Sequence, residues 1–128
     1  REIIVENGGD IFIKSDRDRI VGLYAGDSPL SNKIGLKILA ADTPMGVCTS
    51  SGRIGHSLSF GNAHAAVILS RDTLLADAVA TAVGNKVKEI KDIEKAIGFA
   101  KSIDGVDGVV IIIDDKIGVW GNINLVKL

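Results

Sequence analysis

Asp77 and Thr81 stand four residues apart in a run rich in alanine and leucine, Leu75 to Ala82. On a helix that spacing points a carboxylate and a hydroxyl the same way. Both are hard oxygen donors of the kind Mg²⁺ takes, with water or substrate phosphate completing the shell. The same pair also suits a polar helix face that hydrogen-bonds a nearby loop. Cys48-Thr49-Ser50-Ser51-Gly52 is a run of small residues whose backbone N–H groups and hydroxyls suit a phosphate or sulfate, or a plain serine-rich turn. It lacks the lysine and the glycine spacing of a P-loop. Cys48 could be a reactive thiol if Arg53 or an anion-binding backbone lowered its pKa, or a small buried hydrophobe after Val47. His56, after Gly55, could be a general acid or base or orient a phosphate, or it could be a loop histidine held by backbone. His64, beside a short apolar strand, reads as structural. Gly-His-Ser-Leu-Ser (Gly55 to Ser59) is not a nucleophile elbow. Asn7-Gly8-Gly9-Asp10 could be a hairpin alone, or let a flat ring or ribose approach the backbone.

The elements that must position these residues follow from local pattern. Ile3 to Val5 and Ile11 to Ile13 flank the Asn7-Gly8 turn signal as a hairpin. Ile20 to Tyr24, Lys33 to Leu39 and Ala65 to Leu69 read as strands. Gly46 to Gly61 holds four glycines and five hydroxyl residues with few core side chains, and reads as a long functional loop. Asp72 is the expected N-cap of a helix in which Leu74, Leu75, Ala78, Val79, Ala82 and Val83 face the core. Thr73, Asp77, Thr81 and Asn85 form a polar stripe along it. A second helix is expected over Asp92 to Ser102, then a hairpin of Val109 to Ile113 and Ile117 to Trp120, and a last strand at Ile123 to Val126. Hairpins at both ends and two helices between them predict an α+β fold: an antiparallel sheet with two helices packed on one face.

The totals bound the function. The 128 residues make one domain, 46% apolar. Fifteen basic and sixteen acidic side chains leave a net charge of −1, which gives no electrostatic footprint for nucleic acid. The lysines of Lys86 to Lys95 alternate with acids and read as a solvated helix face. The longest apolar runs, Val109 to Ile113 among them, are far short of the ~20 residues that cross a bilayer. One cysteine allows no internal disulfide and fits a reducing, cytoplasmic setting. The chain opens on Arg1 and enters a strand-like run at once, so a preceding segment of a longer product is expected to pack against it.

The order of the motifs is more specific than any one of them. Asn-Gly-Gly-Asp (Asn7 to Asp10), Thr-Ser-Ser-Gly (Thr49 to Gly52), Gly-His-Ser-Leu-Ser-Phe-Gly (Gly55 to Gly61) and Leu-Ala-Asp-Ala-Val-Ala-Thr-Ala (Leu75 to Ala82) together resemble the ApbE superfamily. Gly46 to Gly52 and Trp120-Gly121 are similar to an uncharacterised prokaryotic family within it, of which this chain resembles the C-terminal portion. ApbE enzymes use Mg²⁺ and FAD to transfer an FMN group to a protein threonine. The resemblance implies Asp77 and Thr81 as metal ligands, Gly8, Gly9 and Asp10 at the flavin site, Ser51-Gly52 as part of its turn, and a tunnelling-type fold. The His-Ile-Ile-Asp-Pro-Arg-Thr-Gly of the flavin transferases is replaced here by His56 to Gly61, without Asp-Pro-Arg.

Three functions follow as expectations. The first is an Mg²⁺-assisted site for FAD or another nucleotide diphosphate, with Thr49, Ser50, Ser51 and Gly52 cradling phosphate. The second is sulfur assimilation, with a sulfur donor forming a persulfide on Cys48. The third is a non-catalytic homo-oligomeric module that assembles through a sheet edge.

Overall fold

The computed structural model describes residues 1–51 and 62–128. Among these residues there are nine strands and two α-helices. A six-stranded sheet runs in the order β1 (Ile3–Asn7), β2 (Asp10–Lys14), β5 (Met45–Ser50), β6 (Ala65–Ser70), β7 (Gly108–Ile113), β8 (Lys116–Gly121). Each neighbouring pair is antiparallel. Helices α1 (Thr73–Lys86) and α2 (Ile93–Lys101) cover one face of it, as the sequence predicts. A three-stranded antiparallel sheet, β3 (Arg19–Gly22), β4 (Ile34–Ile38) and β9 (Leu125–Lys127), packs against the other face.

The period-two alternation of strand side chains supplies both layers. Ile68, Val109, Ile111 and Ile113 pack under the helices, while Val67, Leu69, Val110 and Ile112 join Leu36 and Ile38 between the sheets. Strands β6 and β7 are buried along their whole length, which explains why they read as continuous apolar runs. At the open edge, β1 leaves Ile3, Ile4 and Val5 all exposed.

Two expectations change. Met45 to Ser50 is not loop but the third strand of the large sheet, paired with β2 and β6. Its glycine and hydroxyl composition reflects α1 lying directly on it. A Cβ on Gly46 would stand 2.8 Å from the Cα of Thr73, and one on Gly84 would stand 3.3 Å from Ser50 Oγ. The same close approach reassigns the inner face of α1. Ala76, Ala80 and Gly84 are buried beside Val79 and Val83, whereas Leu74 is 83% exposed and Ala78 also faces solvent. Small side chains four residues apart let the helix settle onto the sheet, with Val79 and Val83 beside them and Leu74 turned outward. Asp72 does cap α1, its carboxylate accepting from the N–H of Leu75 at 3.1 Å. No helix among the described residues is long and apolar enough to cross a membrane.

Candidate functional site

Eight of the residues singled out from the sequence line one cavity of about 560 Å³: Gly8, Gly9, Asp10, Thr49, Ser50, Ser51, Asp77 and Thr81. A volume of this size suits a small-molecule ligand. Cys48 lies just beneath, fully buried. Gly52 and His56 lie outside the described residues.

Three elements bring the group together. The β1–β2 hairpin turns at Gly8, whose φ of +62° is a conformation glycine adopts without strain. The next residue presses on the end of β5: a Cβ on Gly9 would lie 2.7 Å from the carbonyl oxygen of Thr49, and Thr49 N–H donates to the Gly9 carbonyl at 2.9 Å. Asp10 then pairs with Cys48 across the strands, so both side chains share the helix-covered face. Helix α1 crosses above them and presents Asp77. One turn on, Thr81 donates its hydroxyl to the Asp77 carbonyl at 3.2 Å, leaving its oxygen lone pairs available to the cavity.

The electrostatics of this corner are acidic. Burial, and then the neighbouring Asp77 carboxylate, push the Asp10 carboxyl up, against a lowering hydrogen bond from the Cys48 thiol. Two carboxylates and a hydroxyl are hard oxygen donors that match Mg²⁺ or Mn²⁺. Among the described residues no group of three or more His, Cys, Asp and Glu side chains converges, so hydroxyls, water and ligand oxygens would complete any cation shell.

Cys48 behaves in the opposite way to an activated thiol. Burial first, then the carboxylates of Asp10 and Asp77, push it up to about 12. Its single S–H has two acceptors in reach, the Thr73 carbonyl at 3.6 Å and the Asp10 carboxylate. The charged carboxylate is the stronger of the two. Arrangement and burial favour the small buried side chain over the nucleophile. We expect a thiol reagent to leave Cys48 of the folded full-length protein unmodified at pH 8 and to label it only after unfolding. Rapid labelling of the native protein, read by intact mass, would contradict this.

The sequence reading missed five residues that complete the cavity: Glu6, Ile11, Val21, Gly22 and Tyr24. No local motif marks them. Val21, Gly22 and Tyr24 reach the site only because the small sheet packs on the face away from the helices, a long-range contact that leaves no spacing signal.

His64 stands apart from this cavity and is structural. It is buried, its Nδ1 accepts the Asp114 N–H at 2.9 Å, and its Nε2 lies 2.7 Å from an Asp27 carboxylate oxygen. Because Nδ1 is an acceptor, Nε2 carries the proton in the neutral ring.

The family model described as AbpE bacteria matches residues 1–119. Similar proteins include a UPF0280 protein of Methanocella arvoryzae, 47% identical over 120 residues, covering 94% of this chain and 49% of that protein. A UPF0280 protein of Methanosarcina acetivorans is 48% identical over 121 residues, covering 94% and 47%. One of Methanococcus aeolicus is 46% identical over 127 residues, covering 96% and 51%. The chain thus spans about half the length of the curated relatives it matches. With residues 1–119 of its 128 matched, the chain belongs to the AbpE bacteria family.

Proposed function

We propose that the cavity binds a nucleotide diphosphate, FAD being the first candidate, in a manner that requires Mg²⁺. The observation that carries this reading is the convergence of Asp10, Asp77 and Thr81 with the hydroxyls of Thr49, Ser50 and Ser51 around a single cavity. Asp77 and Thr81 are the residues that would hold the metal, with Asp10 as a second carboxylate beside them. Bound there, Mg²⁺ would neutralise a bridging diphosphate. The Ser50 hydroxyl, on the same side of β5 as Asp77, would donate a hydrogen bond to a phosphate oxygen, and Thr49 would do so from the other side of the strand end, while the Ser51 hydroxyl already donates to the Ala63 carbonyl at 3.5 Å. The glycine turn keeps the approach open. Similarity of the Asp77-x-x-x-Thr81 and Gly8-Gly9-Asp10 motifs to those of the ApbE flavin transferases supports the choice of FAD. Group transfer would need an acceptor as well, and the replacement of Asp-Pro-Arg within residues 56–61 makes binding, rather than transfer, the activity to test first.

The test is a titration of the full-length protein with FAD, followed by flavin fluorescence, with and without Mg²⁺. The expected result is saturable quenching in the presence of Mg²⁺ and little or none with a chelator. Equal binding in both conditions, or none in either, would contradict the reading.

A further inference from the structure

The cavity does not lie on one face of the large sheet; it wraps around the sheet's end. Asp10, Ser50, Asp77 and Thr81 belong to the helix-covered side, since Asp10 pairs with Cys48 and Ser50 lies against Gly84 of α1. Ile11 pairs with Val47, and both belong to the cluster between the two sheets, with Val21 of β3 packed against it. Gly8 and Gly9 of the turn line the cavity together with residues of both sides. A Cβ on Gly8 would meet nothing within 4 Å, whereas one on Gly9 would stand 2.7 Å from the Thr49 carbonyl oxygen, so the turn forms a low saddle that is open at Gly8.

The two compartments differ in chemistry. The helix side offers carboxylates and hydroxyls. The far side offers Ile11, Val21, the bare backbone of Gly22, the hydroxyl of Thr49, and Tyr24, which is the only tyrosine in the chain and is 59% exposed. A large aromatic side chain left open beside an apolar wall is suited to stacking against a flat ring. The part of a ligand that fills both compartments is therefore anionic on one side and a flat ring on the other, as either nucleotide half of FAD is, joined by a linker narrow enough to cross the glycine saddle.

Resting on the proposed diphosphate site, we propose that Tyr24 is the ring-stacking wall of this cavity and decides its preference for ring-bearing diphosphates over inorganic pyrophosphate. The heteroaromatic ring of the ligand lies against Tyr24, Ile11 and Val21, while its diphosphate lies across the saddle near Asp77. Tyr24 is a positioning residue: it makes no contact with the phosphate end.

The experiment compares binding of FAD and of inorganic pyrophosphate, both with Mg²⁺, to the full-length protein and its Tyr24→Ala and Tyr24→Phe variants by calorimetry. Stacking predicts that Tyr24→Ala weakens FAD by about 10-fold or more, leaves pyrophosphate unchanged, and is rescued by phenylalanine, which keeps the ring. Unchanged FAD affinity in Tyr24→Ala would overturn the ring assignment while leaving Mg²⁺-dependent FAD binding, and so the diphosphate reading, intact. Equal weakening of both ligands would overturn it in favour of a structural role. Failure of the unaltered protein to bind either ligand with Mg²⁺ would overturn the diphosphate reading and the tyrosine's role with it.

Discussion

Gly46→Ala should destabilise the protein by about 1–3 kcal/mol, the usual range for forcing an extra methyl into a packed interior. The new Cβ would stand 2.7 Å from Thr73 Oγ1 and 2.8 Å from Thr73 Cα. The second of these is helix backbone, which no rotamer change can move aside. Relief requires lifting the first turn of α1 from β5, and with it the Asp72 cap and the packing of Ala76. The control is Gly98→Ala. Gly98 is an exposed residue of α2 where an added Cβ meets nothing within 4 Å, so alanine should stabilise by up to about 1 kcal/mol through helix propensity and a less flexible unfolded chain. Urea unfolding of the full-length protein checks both, as opposite shifts in midpoint at constant slope. A neutral Gly46→Ala would mean that α1 does not sit where the structure places it.

The second large effect concerns the two carboxylates, which should separate stability from binding. Asp77→Ala should lower Mg²⁺-dependent FAD affinity by about 100-fold or more, since even outer-shell partners of a metal cost 10- to 100-fold. Asp10→Asn should lower it too, but raise the melting temperature of the ligand-free protein, because it removes a partly buried charge and, with it, the repulsion from Asp77. The pH dependence has a definite sign. In the folded protein Asp10 titrates above its ordinary 3.8, so the fold holds its proton more tightly than the unfolded chain does. Its contribution to stability is full below 3.8 and is lost as pH rises through the raised value. The Asp10→Asn protein should lack that loss, so its advantage over the parent should appear on going from acid to neutral pH. An advantage that shrinks on raising the pH would contradict the assignment.

Much of this site was legible because its residues sit on regular elements with strong local signals. The Asn7-Gly8 turn fixes the hairpin, and Asp72 fixes where α1 begins, which in turn sets the direction of Asp77 and Thr81. The strand character of Met45 to Ser50 was hidden for a physical reason. A strand pressed by a helix on one side needs Gly46, Cys48 and Ser50 there, and that composition looks like a loop. The same tight contact misdirected the reading of α1, where hydrophobicity singled out Leu74 but steric fit selected Ala76 and Ala80. The small sheet, and with it the Tyr24 side of the cavity, depends on β9 returning from the end of the chain to pair with β4. No local pattern encodes that return.

The most direct test of the cation and diphosphate site uses Mn²⁺ in place of Mg²⁺. NMR spectra of the full-length protein with FAD would be recorded as substoichiometric Mn²⁺ is added, and the first amide signals lost to paramagnetic broadening would mark the metal's position. The account predicts that Asp10, Cys48, Asp77 and Thr81 broaden first and that Asp77→Ala abolishes the effect. Broadening centred on another acidic stretch, such as the Asp114-Asp115 turn, or persisting unchanged in Asp77→Ala, would contradict it.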